Sequence, residues 1–200
     1  MAGDLTIRCR CGTFSGTARR VSAEAGNRGV CYCDDCQAFA HHLGAAAATL
    51  DAQGGTDIFQ MSPARLAVVQ GLDRLACLRV TARGPLRWYS DCCKTPIGNT
   101  APTRQLPIVG LILSSVEAEP RELDEVLGPV RARIMTRYAK GTVADSAPAY
   151  EGFPKSHIVR MLWKILVWRV RGDHRRSPFF DPGTGKPIAS PHFLHDHEHA

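Results

Sequence analysis

Two hundred residues suffice for one domain with a sizeable core, and 44% hydrophobic with 22% charged residues excludes a disordered, collagenous or coiled-coil chain. The net charge of +6 predicts a mild attraction to anions. Seven metal-bound thiolates with two divalent ions would reduce it to about +3, so nucleic acid is not an expected partner.

The N-terminal segment has no basic region followed by an apolar run, so no secretory signal is expected and the compartment is read as reducing and cytoplasmic. Leu5 and Ile7 alternate ahead of Cys9 and predict a first strand; residues 13–21 predict a second. Further strands are expected at 29–33, 57–61, 65–69, 75–80, 86–90 and 108–113, separated by turn signals such as Gly54-Gly55, Gly71 and Gly84-Pro85. Residues 34–43, capped by Asp34 or Asp35 and ended by Gly44, read as the only helix before residue 115.

Past Pro120 the pattern turns helical. Residues 121–127 predict a helix stopped by Gly128-Pro129, 131–140 a further helical turn or two, and 141–154 a loop. The most strongly patterned helix is 156–171, with Ser156 as N-cap and His157, Arg160, Lys164 and Arg171 on a narrow polar face. Its apolar remainder, with Trp163 and Trp168, predicts burial against the body or a second subunit and not a membrane anchor, which makes this helix the expected homo-oligomer contact. No transmembrane segment is expected, because Arg160, Lys164 and Arg169 interrupt the longest apolar stretch. The cluster Arg169, Arg171, His174, Arg175 and Arg176 reads as a solvated basic face. His192, His195, His197 and His199 with Asp196 and Glu198 read as a solvated terminus, a divalent-metal site being the alternative. Two regions follow: 1–116, mainly β, and 117–200, a helical extension with a His-rich tail.

The eight cysteines are the unusual feature of the composition. Two C-x-C units and a C-x-x-C step beside strand ends suit metal better than disulfides, since adjacent Cys92 and Cys93 could pair only through a strained ring. Two cysteines from one tight turn and two from another close a tetrahedral zinc site, and Gly12 after Cys11 fits such a turn. Cys31, Cys33 and Cys36 supply three thiolates from one loop, one short of a tetrahedron, as in a catalytic zinc whose fourth position stays open. Cys77 or His41 filling that position would make the site purely structural. Cys77, in the apolar run Leu75-Ala76-Cys77-Leu78, reads as a core thiol. His41 and His42 follow the trio by one to two helical turns, within reach of a supporting contact.

Cys9-Arg10-Cys11-Gly12, Cys31-Tyr32-Cys33-Asp34-Asp35-Cys36 and the Cys93-Lys94-Thr95-Pro96 segment together resemble the glutathione-dependent formaldehyde-activating enzyme (centromere protein V-like) family over residues 5–115. The resemblance implies a zinc-binding β-tent of antiparallel sheets, here with a helical C-terminal extension. It also implies about two zinc ions, one structural on Cys9, Cys11 and Cys93 with a fourth ligand, and one catalytic on Cys31, Cys33 and Cys36. Where the family has a cysteine three residues before Cys93, this chain has Ser90. Cys92 is the nearby thiolate, and the alternative is a weak or missing structural site. Lys94 also replaces the usual glycine.

The function the resemblance implies is a zinc-dependent carbon–sulfur lyase acting on glutathione or other thiol adducts of aldehydes. No general base is recognisable in the sequence. The alternative is a non-catalytic zinc module that docks a protein, nucleic acid or membrane surface.

Overall fold

The computed structural model describes residues 2–144 and 146–194. Among these residues twelve strands form two sheets. The smaller is antiparallel, in the order β1 (Gly3–Arg8), β2 (Ser15–Val21), β5 (Leu66–Gln70). The larger has a six-stranded antiparallel centre of β3 (Asn27–Cys31), β4 (Thr56–Met61), β9 (Val109–Ile112), β8 (Pro96–Thr100), β7 (Leu86–Ser90) and β6 (Leu75–Arg79), in that spatial order. Two-residue strands extend both edges, each parallel to its neighbour: β10 (Arg133–Ile134) and then β11 (Ala149–Tyr150) beside β3, and β12 (His192–Phe193) beside β6. Among the described residues there are four α-helices, α1 (Asp34–His42), α2 (Ala46–Thr49), α3 (Pro120–Leu127) and α4 (Lys155–Val170), besides short 3-10 turns.

The alternation of a strand decides what lies on each face of the large sheet. Phe59 and Met61 of β4, Leu86 and Trp88 of β7, Ile97 of β8, and Val109 and Leu111 of β9 enter the main core, where they join Leu5, Ile7, Ala18 and Leu66 of the small sheet. Leu123, Leu127, Phe179 and Phe180, all beyond residue 116, complete that core. Arg87 and Tyr89 of β7 point the other way, toward α1, whose Phe39 meets Tyr89 edge-on at 6.3 Å. All five β7 residues are buried because both faces are covered.

Four expectations are corrected. The 131–140 segment forms β10 and a 3-10 turn at Thr136–Tyr138 in place of helix, because Arg133 and Ile134 pair with Val30 and Cys31 at the sheet edge. A single helical turn, α2, follows α1 before residue 115. Strand β8 has no sequence signal of its own: Pro96 and Gly98 argue against a central strand, yet it pairs on both sides. A Cβ on Gly98 would sit 3.0 Å from the Gly110 carbonyl, so glycine permits the close approach there.

The last correction concerns α4. Pro154 and not Ser156 occupies its N-cap, and only Met161 and Trp168 are buried. Lys164 bonds the Glu24 carbonyl and His157 meets Asn27 and Gln60, so these two polar side chains turn to the body beside Met161 and Trp168 while Arg160 and Arg171 stay exposed. Ile158, Val159, Leu162, Trp163, Leu166 and Val170 face outward, with Trp163 65% exposed. Among the described residues no helix is long and apolar enough to cross a membrane.

Candidate metal centres and the cleft

Seven of the eight cysteines fall into two groups, each with its sulfurs within 4.8 Å of one another, and either group could hold a metal ion. The first joins Cys9 and Cys11, after β1, to Cys92 and Cys93 in the β7–β8 turn. Cys11 Sγ lies 3.2 Å from Cys92 Sγ, and Cys9 Sγ is 3.5 Å from Cys11 and 3.8 Å from Cys92. The first turn curls as a thiolate knuckle does: Gly12 has φ +77°, its N–H donates to the Cys9 carbonyl, and the Phe14 N–H donates to Cys9 Sγ at 3.2 Å.

Ser90 stitches the opposite turn together. Its hydroxyl accepts from the Thr95 N–H and contacts Cys93 Sγ at 3.5 Å. Lys94, in place of glycine, adopts φ +58°, a left-handed conformation that costs a side-chain-bearing residue about 1–2 kcal/mol. Against burial, hydrogen bonds from Ser90, Thr95 and Cys11 pull the Cys93 thiol down to about 5. Burial and the hydrogen bonds in which Cys92 keeps its proton toward Cys11 and Cys9 push Cys92 up to about 12.

The second group is local. Cys31 ends β3, Cys33 is the N-cap of α1, and Cys36 lies in its first turn, with its N–H donating to the Cys33 carbonyl at 3.0 Å. Tyr32 anchors the loop. Its ring is fully buried, its hydroxyl donates to Asp51 at 2.9 Å, and the hydroxyl accepts from Arg133 at 2.7 Å. Gln37 holds α1 against the Tyr32 and Tyr138 carbonyls. Hydrogen bonds from the Cys31 and Cys33 thiols, with Arg87 adding to them, hold Cys36 well below the usual thiol range in spite of burial. Arg87 Nη1 lies 3.6 Å from Cys36 Sγ and Nη2 3.5 Å from Asp35, while its side chain is 3% exposed.

The trio opens into a cleft of about 540 Å³. Gly29, Ile58, Gln60, Asn99 and Gly110 floor it from the sheet face opposite the main core. Walls come from distant segments: Pro85, Ala101 and Ile108 on one side, and Ile134, Met135, Tyr138, Phe153 and His157 from beyond residue 130. Met135 takes φ +59°, a strained conformation of the kind that concentrates at functional sites.

His157 is the cleft residue that sequence reasoning assigned only to a polar helix face. Its Nε2 lies 3.1 Å from Gln60 Oε1 and its Nδ1 3.1 Å from Asn27 Nδ2. Asn27 Nδ2 lies 3.1 Å from both ring nitrogens and can only donate, and Gln60 Oε1 can only accept, an arrangement that a neutral ring protonated on Nε2 satisfies. Burial, with Arg160 nearby, lowers its pKa and favours the same state. Only its position on α4, known once the helix is docked, links it to the trio.

The structure brings neither His41 nor His42 into the trio; both are exposed on α1. Cys77 belongs to neither group and is buried in β6, where burial pushes its thiol up to about 12. His192 lies 6.2 Å from Tyr89 and 6.3 Å from His42, ring to ring. His195, Asp196, His197, Glu198 and His199 lie outside the described residues. Part of the basic cluster is folded in: His174 is buried and contacts Arg169, and Asp173 pairs with Arg176 and accepts from Ser62 at 2.6 Å.

No curated protein matches the chain. The crystal structure of a Rhodobacter sphaeroides protein, a structural-genomics target, is similar with a TM-score of 0.42 and 20% sequence identity, covering 60% of this chain and 96% of that one. A family model described as a family of unknown function, DUF6151, matches residues 1–191, and the chain belongs to that family.

Proposed function

We propose that the protein is a zinc-dependent enzyme of carbon–sulfur lyase type, acting on glutathione or other thiol adducts of aldehydes in the Cys31/Cys33/Cys36 cleft. The two sheets are read as a zinc-binding β-tent with a helical C-terminal extension, and the four-thiol group as its structural zinc site. The observation that carries the proposal is the asymmetry between the two cysteine groups. One has four sulfurs, enough to close a tetrahedron; the other has three, with Cys33 half-buried at the lip of a solvent-open cleft.

Both donor sets fit the ion. Soft thiolates in threes and fours suit zinc, and the trio's sulfurs have a nearby cation in Arg87 to offset their charge. Held by three thiolates, zinc supplies a Lewis acid with room for one further ligand. The chain's own residues do the rest. Ile58, Ile108, Ile134, Met135 and Phe153 give the cleft an apolar lining that limits water around an adduct. Cleavage of a hemithioacetal takes a proton from its hydroxyl and returns one to sulfur. His157, which lines the cleft and whose neutral form burial favours, is the base assigned to that proton transfer.

Cobalt in place of zinc makes the open position visible. Added glutathione is expected to change the ligand-field spectrum of the wild-type protein and not that of Cys33→Ser. No response to any thiol, with four protein ligands on the trio metal, would overturn the enzyme reading. His157→Gln is expected to keep the spectral response and to lower turnover of aldehyde–glutathione adducts by roughly 100-fold. Unchanged turnover would remove His157 from the mechanism.

A further inference from the structure

Helix α4 turns a continuous apolar strip to solvent. Ile158, Val159, Leu162, Trp163, Leu166 and Val170 lie on one side of the helix at 42–80% exposure. The only other residues there are Lys155 at the helix start and Arg169, which is held by His174. A monomer rarely leaves so much contiguous apolar surface in water.

Along the flank beyond Trp163 runs a groove lined by Arg20, Arg65, Arg160, Lys164 and Arg171, with the indoles of Trp163 and Trp168 in its wall. None of these five cations forms an ion pair among the described residues. Glu24, the one carboxylate lining the groove among the described residues, is bonded by the Ser22 hydroxyl, and Lys164 reaches its backbone carbonyl. Arg20 stands at the groove in a left-handed conformation, φ +48°, with its N–H tied to Asp4. Crowding shows in the side chains: burial and the neighbouring Arg131, Arg160 and Arg65 lower the Lys164 pKa, and burial with Arg20 lowers that of Arg65. The helix contains no acidic residue.

We propose that this side of the molecule docks on an anionic membrane surface, with the apolar strip of α4 entering the acyl boundary and the groove cations meeting headgroup phosphates. Such a surface satisfies both features at once. A second copy seated on the strip would cover the apolar residues but bring two sets of unpaired cations toward each other. A soluble polyanion would meet the cations and leave the strip in water.

The test uses the full chain, metal-loaded, with phosphatidylglycerol–phosphatidylcholine vesicles and with vesicles of phosphatidylcholine alone. Co-sedimentation is expected with the anionic vesicles at low salt and to fall at least tenfold in 1 M salt, with a blue shift of tryptophan emission on binding. Two variants report on the two features: Leu162→Ser with Leu166→Ser, and Arg160→Gln with Lys164→Gln and Arg171→Gln. All five positions are at the surface or half-buried, and each variant's melting profile and metal content establish that it is folded. Each is expected to lower binding at least tenfold. No binding at low salt, or binding that neither variant weakens, overturns the proposal. So does a dimer in solution that the Leu162/Leu166 variant splits while wild-type protein leaves the vesicles bare, or retention of an RNA oligonucleotide in place of vesicles.

Discussion

Replacing Cys9 with serine is expected to cost the protein its fold, whereas replacing Cys33 with serine leaves a folded protein that carries one metal ion fewer. The difference follows from what each cysteine group ties together. The four-thiol group links residues 81 and 83 apart in sequence and so clamps the end of β1, in the small sheet, to the β7–β8 turn of the large one. Cross-linking a loop of that length restrains the unfolded chain by about 4.5 kcal/mol, or about 9–18 °C in Tm for a domain of this size. A bound structural zinc contributes about 10–16 kcal/mol of apparent free energy in small folds, as much as a whole domain's stability of about 5–15 kcal/mol. The trio, by contrast, closes a loop within six residues of one β3–α1 connection, which hydrogen bonds from Tyr32 and Gln37 already hold. Elemental analysis and thermal melts check both halves. A folded Cys9→Ser protein with undiminished Tm would show that the clamp is not metal-borne.

Legibility in the sequence follows the range of the interactions. The trio and its helix were readable because their signals are local: a strand end, three cysteines in six residues, acids in the first helical turn, and Gly44 at φ +62° after the last. The β1, β2, β4, β6 and β7 patterns also stand on alternation that a few residues display by themselves. What failed depended on distant partners. Strand β8 exists because β7 and β9 flank it, and β10 because β3 offers an open edge, whatever the local propensity says. The direction of the apolar face of α4 was not legible either: pattern shows that a face is apolar, and only docking shows which way it points. His157 escaped notice for the same reason, since a histidine on a helix becomes a cleft residue only when Asn27 and Gln60 receive it.

Trp88→Ala is expected to destabilise the protein by about 3–5 kcal/mol and to loosen residues 173–194 together with β7. Trp88 is fully buried, its Nε1–H donates to Thr100 Oγ1 at 2.9 Å, and its ring meets Phe179 at 5.0 Å and Phe180 at 6.5 Å between centroids. Alanine removes the ring that these two phenylalanines pack on and leaves the Thr100 hydroxyl buried without its donor. Trp88→Phe keeps most of the apolar area and loses the hydrogen bond, for a cost of about 1–2 kcal/mol. Phe179→Ala opens the same space from the other side, so the two large substitutions share one cavity. The double variant should then be less destabilised than the sum of the singles, with a coupling of about 0.5–3 kcal/mol. Urea unfolding of the four proteins measures it directly. Strict additivity would mean that Phe179 reaches the core independently of Trp88. The expected coupling makes the segment after α4 part of the main core, so truncation before Phe179 should destabilise the sheet that floors the cleft.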